Sequence, residues 1–335
     1  MRVAPLAPSD RPAWDAFVVE RRAGFMQSWS WSRVKELEGY RALRLGLHDG
    51  DRVIGGAIAY VFPTSAEAQL AAVPDGPVLD WTAPDASVAF STIVSALEAA
   101  TVGDCVAALR VEPRLETIPE ALRDLPRAPL DLVPVDTLEI ELGPEAEMLA
   151  RMKPKGRYNA RLAARHGVEV TTSGDPSTVH DFYDVLSATG SYHGFFVEPK
   201  SFFINLAQTL FPTMGRVSFA RYKGMTLAAA LTVHHGDTVT YLSGGHVPLF
   251  PEVMASHALH WHVMREAAAE GYRVYDFYGY VPPGDPTHPY DRFSRFKEKF
   301  GGRAVRRIGS RDVIFYDRLA DAAVRTVAGL AGARR

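Results

Sequence analysis

The chain has almost no cysteine: Cys105 is the sole one in 335 residues. That excludes a disulfide framework and a thiolate metal site, and Cys105 is expected to be a small buried hydrophobe. Neither sign of charge prevails, since the formal net charge is −2. Binding of a polyanion by bulk charge is thereby excluded, so any such partner must meet a local patch. Long apolar runs are missing too, with no stretch offering about 18 uncharged apolar residues. The opening "MRVAPLAPSDRPAWDAFVVERR" lacks the basic-then-apolar profile of a signal peptide, so a cytoplasmic location is expected. The histidines His234 and His235, and His257, His260 and His262, lack a third ligand at workable spacing. The last three cannot share one helix face, because only positions three or four apart do, and no metal is expected.

What is present is ordinary globular protein, 47% hydrophobic and 23% charged, and long enough for two domains. The chain also repeats itself. "ALRLGLHDGDRVIGGAIAYVFP" reads as strand, Asp-Gly turn, strand, and "AEAQLAAVPDGPVLD" as a further strand. "ASVAFSTIVSALEAAT" has helical spacing, and "CVAALRVEP" is a strand closed by proline. The same order returns as "RVSFARYKGMTLAAALTVHH", "DTVTYLSGG", "MASHALHWHVMREAAAEG" and "RVYDFYGYVP".

Two such copies predict two tandem α/β (α+β) domains, each a mixed twisted sheet flanked by helices. The order suits the acyl-CoA N-acetyltransferase (GNAT) type of fold better than a doubly wound one, which would alternate strand and helix throughout. A first domain is expected over residues 1–144, completed by 311–335, and a second over 145–310. The tail "RDVIFYDRLADAAVRTVAGLAGARR" reads as a strand followed by an amphipathic helix. Users of acetyl-CoA cradle its pyrophosphate on a basic-x-x-Gly-x-Gly/Ala loop at a helix start. The corresponding places hold "PDGPVLDWTAPDAS" and "SGGHVPLFPEVMAS", with acids or prolines where the anion would sit. Either the donor is different or the fold has lost catalysis, and no cofactor is expected.

Four dispersed segments, "FMQSWSWSRVKE", "MKPKGRYNARLAARHGV", "RVYDFYGY" and "RFKEKFGG", come in an order and spacing that resemble the Fem family. Those are aminoacyl-tRNA-dependent peptidyltransferases of peptidoglycan bridge synthesis. The likeness spans essentially the whole chain and matches the compact form, since no heptad run for a coiled-coil arm is present.

The resemblance implies transfer of an amino acid from charged tRNA to the free amine of a peptidoglycan precursor, UDP-linked or lipid-linked. A lipid-linked acceptor would bring transient contact with the inner membrane leaflet. In the family the lysine of the Phe-Lys pair stabilises the reaction's oxyanion, which here is Lys297, and Phe296 beside it would stack at the terminal adenine of the tRNA. Lys35, with Trp31 nearby, would meet the precursor's phosphate, and Glu112 would face the acceptor peptide. Where members carry an arginine for the precursor's phosphate this chain has Glu198, with Lys200 a substitute two residues on. That departure leaves open an acceptor other than peptidoglycan, such as another small amine or a peptide natural product. A reading of another class is a non-catalytic tRNA- or precursor-binding relative, against which the Phe296-Lys297 pair argues.

On the residues alone, Phe293, Phe296 and Phe300 stand at helical spacing and read equally as core. Lys153, Lys155, Arg157 and Arg161 lie in a basic run free of acids, either a solvated helix face or a track for RNA phosphates. Tyr241 and Tyr275 sit on strands of the second copy, where a hydroxyl could position donor or acceptor, or simply find a buried partner.

Overall fold

A computed structural model describes residues 1–62, 68–283 and 291–316. The helix expected after the last strand lies outside the described residues. The chain divides into two compact units, residues 1–135 with 307–335, and residues 136–306.

The first unit contains β1 (Arg2–Pro5), α1 (Arg11–Glu20), α2 (Trp29–Leu37), β2 (Arg41–Asp49), β3 (Arg52–Val61) and β4 (Gln69–Pro74). It continues with α3 (Ala86–Thr101) and β5 (Val106–Glu112). The second unit contains β6 (Asp136–Glu141), α4 (Glu145–Arg151), α5 (Pro154–His166), β7 (Glu169–Ser173), α6 (Val179–His193), α7 (Lys200–Leu210), β8 (Gly215–Tyr222) and β9 (Met225–His235). β10 (Thr238–His246), α8 (Ala255–Ala269), β11 (Val274–Gly279), α9 (Asp291–Lys297) and β12 (Arg303–Arg306) complete it, before β13 (Arg311–Ile314) returns to the first. β6 pairs with β11 and so belongs to the second unit, whereas a division after residue 144 would leave it in the first.

The sheet of the first unit runs β1-β2-β3-β4-β5-β13 and that of the second runs β12-β6-β11-β10-β9-β8-β7. In both, an antiparallel hairpin leads to a third strand, a helix crosses over, and the next strand lies parallel to the third. This is the repeated GNAT-like order expected from the sequence. β4 and β5 are buried almost throughout, as parallel strands covered on both faces must be, and this is why "LAAVP" and "VAALRVE" read as apolar runs rather than alternations. The stretch Ala86–Asp104 is long and apolar enough to cross a membrane by length and composition. Here its Phe90, Ile93 and Leu97 join the core of the first unit.

β13 is fastened to β5 by a buried bidentate pair, with Arg110 Nε and Nη2 donating to the two Asp312 oxygens at 2.8 Å each. Cys105 departs from expectation. It is exposed and left-handed, at φ 53, because it forms the corner that turns the chain from the α3 end into β5.

Candidate active site

The parallel pair of the first unit stays joined to its end, at Pro74↔Glu112. The equivalent pair in the second unit does not. β10 and β11 are paired from Thr238↔Val274 to Thr240↔Asp276 only. Just beyond, β10 shifts register against β9 between Tyr241 and Ser243, and β11 shifts against β6 between Asp276 and Gly279. The two strands part at the same level.

Lys297, at the end of α9, occupies the fork. Its Nζ donates to Phe277 O at 3.0 Å and Gly279 O at 2.5 Å, both carbonyls of the diverging half of β11. It also stands 5.9 Å from the ring centroid of Tyr241 on β10. Burial pushes its ammonium down to about 8, while the Asp276 carboxylate acts the other way. The lysine therefore remains largely charged at neutral pH.

Several bonds hold α9 in place. Ser294 Oγ accepts from Val281 N at 2.8 Å, and Tyr280 OH donates to Glu298 Oε1 at 2.9 Å. The other oxygen of Glu298 accepts from Lys153 Nζ at 2.7 Å, which ties the start of α5 to the same turn. Gly301 and Gly302 both have positive φ, and a side chain at either would strike the Arg151 or Glu139 carbonyl. The Gly-Gly break is thus what lets the chain pass between α4 and β6 into β12.

Beneath the fork lies a packed aromatic cluster. His260 Nδ1 is 2.8 Å from Tyr275 OH, and its ring touches those of Tyr241, Phe277, Phe296 and Phe300. Burial, then the charge of Lys297, push its imidazole down to about 3. His257 stacks on Phe300, contacts Asn159 at 3.1 Å, and is pushed by burial to about 4. Both are neutral aromatic core at physiological pH. Among the described residues no group of His, Cys, Asp and Glu is arranged to hold a metal ion.

The structure brings Lys297, Phe296, Tyr241 and Tyr275 together. Tyr275 is fully buried against His260, so its hydroxyl serves the core, whereas Tyr241 is half-buried beside the fork. Phe296 is half-buried between His257 and Phe300. Phe293 leaves the stripe expected for all three phenylalanines, packing instead against His193 and Phe195.

In the basic run, Lys153, Lys155 and Arg161 are exposed, but Arg157 donates to the Met152, Ala150 and Leu149 carbonyls and so caps α4. Lys200 Nζ lies 3.7 Å from Asp184 and over the Tyr183 ring.

The remaining candidates belong to the first unit. Ser28 caps α2, accepting from Trp31 N at 3.2 Å. Trp31 itself is buried, edge-on to Phe25, and serves that core. Lys35 Nζ lies 3.9 Å above the Tyr40 ring. Glu112 is buried, with Oε1 accepting from Leu132 N at 2.7 Å and from Ser310 Oγ, and with no partner for Oε2 among the described residues. Burial raises its carboxyl to about 7, so in this structure it closes the sheet end rather than facing an acceptor.

Sequence reading passed over Thr137, Asp276 and Tyr278. Asp276 Oδ1 accepts from Tyr278 N at 2.7 Å and from Thr137 Oγ1. The aspartate between aromatics in "VYDFYGY" was the only visible signal, since Thr137 is 139 positions away.

Comparison with known proteins matches residues 11–115 to the FemAB family and residues 151–297 to an acetyltransferase (GNAT) domain. Each match falls within one of the two units, and the second ends at Lys297. Aminoacyltransferase FemB of Staphylococcus epidermidis is 32% identical over 87 residues, which is 25% of this chain and 20% of the relative's length. The match thus spans about a fifth of that relative. Among solved structures, FemX superposes with a TM-score of 0.86 at 18% identity, covering 97% of this chain and 100% of FemX. L-PGS from Bacillus licheniformis shares the fold at TM-score 0.56 and 12% identity, covering 97% of each chain.

Proposed function

We propose that this protein is a Fem-type aminoacyltransferase that moves an amino acid from aminoacyl-tRNA to the free amine of a peptidoglycan precursor. One observation carries the reading: only the second unit's parallel strands part, and a half-buried lysine stands at the fork. An ester inserted between β10 and β11 would meet that cation with its carbonyl oxygen. The acceptor amine attacks the ester carbon, the carbonyl electron pair moves to oxygen, and a tetrahedral oxyanion forms. On collapse the C–O bond to the terminal ribose breaks, the ribose hydroxyl leaves with the proton lost by the amine, and an amide remains.

An ammonium has three N–H groups. The Phe277 and Gly279 carbonyls take two, which fixes the third in direction. A preorganised cation in a water-poor site stabilises developing negative charge without reorganising at the moment of reaction. The exposed Lys155 and Arg161 suit phosphate contacts that carry no sequence code. Aminoacyltransferase FemB, the relative in sequence, is named for this class of reaction.

Glu198 supports a second reading, in which the acceptor is an amine without a diphosphate carrier. A carboxylate stands where the resemblance expects a phosphate-binding arginine, and Lys200 is already paired with Asp184. One assay decides between them. The purified protein is incubated with radiolabelled aminoacyl-tRNAs and a panel of UDP-linked, lipid-linked and carrier-free amine acceptors. Label is expected in a muropeptide precursor; label in carrier-free amines alone favours the second reading. Intact aminoacyl-tRNA throughout, with every acceptor, would sink both.

A further inference from the structure

The fork has a cause, and it lies in one side chain. In the pairing of β11 with β6, Asp276 faces Glu139 but Gly279 faces Thr137, so β11 carries one residue more than its partner. Tyr278 occupies that bulge in the left-handed region, at φ 56, a conformation costly for a residue with a bulky side chain. Asp276 stabilises it. Its Oδ1 accepts from Tyr278 N two residues on, and also from Thr137 Oγ1 across the strand pair. The same bulge presents the Phe277 and Gly279 carbonyls to Lys297 Nζ.

Among the described residues, the surroundings of Lys297 are otherwise short of negative charge. From β10 it meets the neutral ring of Tyr241, whose hydroxyl burial pushes well up. From α8 comes His260, neutral at physiological pH, and from β11 Tyr275, also held in its neutral form by burial. Next along the chain, Glu298 is engaged by Lys153 and Tyr280. Among the described residues, Asp276, itself buried, is the carboxylate whose charge bears on the ammonium.

We propose that Asp276 is the positioning residue of the transfer reaction: it holds the β11 bulge that seats Lys297 and supplies the counter-charge to that lysine. The proposal rests on the reading of Lys297 as the oxyanion-stabilising cation. Asp276 acts through Lys297 and touches no substrate. Its two contributions are separable, because asparagine keeps an oxygen for the Tyr278 and Thr137 bonds but not the charge. Glutamate keeps the charge but places it one methylene too far for the turn.

The test follows the Nζ resonance of Lys297 by NMR over pH, identified by its loss in Lys297→Met, beside the pH profile of transfer. Asp276→Asn is expected to lower the Lys297 titration by at least about one pH unit, and to move the basic limb of the rate profile down with it. Asp276→Glu is expected to hold the titration near that of wild type while slowing turnover about tenfold at every pH. An inactive Lys297→Met together with an Asp276→Asn titration and rate limb like wild type would overturn the role of Asp276 alone. Full turnover in Lys297→Met removes the underlying reading, and this proposal with it. Should the asparagine variant fail to fold, full turnover in Asp276→Glu still overturns the positioning role.

Discussion

Lys297, half-buried, and Glu112, buried, are two ionisable residues whose charges the fold tolerates differently. Lys297 is pushed down to about 8 from 10.5, so between those values the unfolded chain holds the extra proton. Stability at this site therefore rises as pH climbs from about 8 toward 10.5, and at neutral pH the half-buried ammonium costs stability. Lys297→Met is accordingly expected to melt slightly above wild type at pH 7, by on the order of 1 kcal/mol, since the lost carbonyl bonds offset part of the gain. The same variant should transfer at least about a hundredfold more slowly, while Lys299→Met, on the same turn, stays active. Equal rates for the two would show that the fork is not the catalytic centre.

Glu112 has the opposite sign. Its carboxyl is raised from 4.5 to about 7, so the folded state holds the extra proton, and stability is lost as pH rises through that interval. Ser310 Oγ stands between Glu112 and Asp131 and has only one proton to give. Glu112→Gln, a neutral isostere, is expected to match wild type in thermal melting at pH 5 and to exceed it at pH 8. Equal melting curves at both pH values would mean that the carboxyl is ionised and its burial harmless.

At the level of elements, the site depends on how closely α5 approaches the turn after α9. Gly156 is buried against that turn, and a Cβ there would lie 2.0 Å from Lys299 O. Lys153 N donates to the same carbonyl at 3.1 Å. Gly156→Ala should push the two elements apart, at a cost of about 1–3 kcal/mol in denaturant unfolding. Turnover should fall as well, because the Lys153–Glu298–Tyr280 chain that holds α9 would lengthen. A variant of wild-type stability would mean that the turn gives way freely.

For the whole molecule, a net charge of −2 means that an RNA partner can be held only where cations gather. Lys155→Glu with Arg161→Glu is therefore expected to weaken binding to all tRNA isoacceptors alike and to flatten the dependence of affinity on salt. Arg157→Ala should instead destabilise the second unit, since that guanidinium caps α4. Unchanged affinity and salt slope in the double variant would leave α5 as a solvated face.

The sequence by itself determined the repeated strand–strand–strand–helix–strand order, because hydrophobic period and turn residues are local properties. It also made Lys297 a candidate, through a short segment that stays contiguous in the fold. Other features were beyond its reach. Phe293 shares a helical stripe with Phe296 and Phe300, yet it packs elsewhere, because spacing sets the face of a helix and not which neighbour covers it. Trp31 and Arg157 look like binding residues in one dimension and are structural in three. The parting of β10 from β11, with β4 and β5 still joined, was decided by tertiary structure alone. It depends on a bulge bonded to Thr137, far away in the chain, and on a tyrosine held left-handed by that bond network. Local propensity disfavours such a residue there, so only the assembled sheet could make the conformation stable.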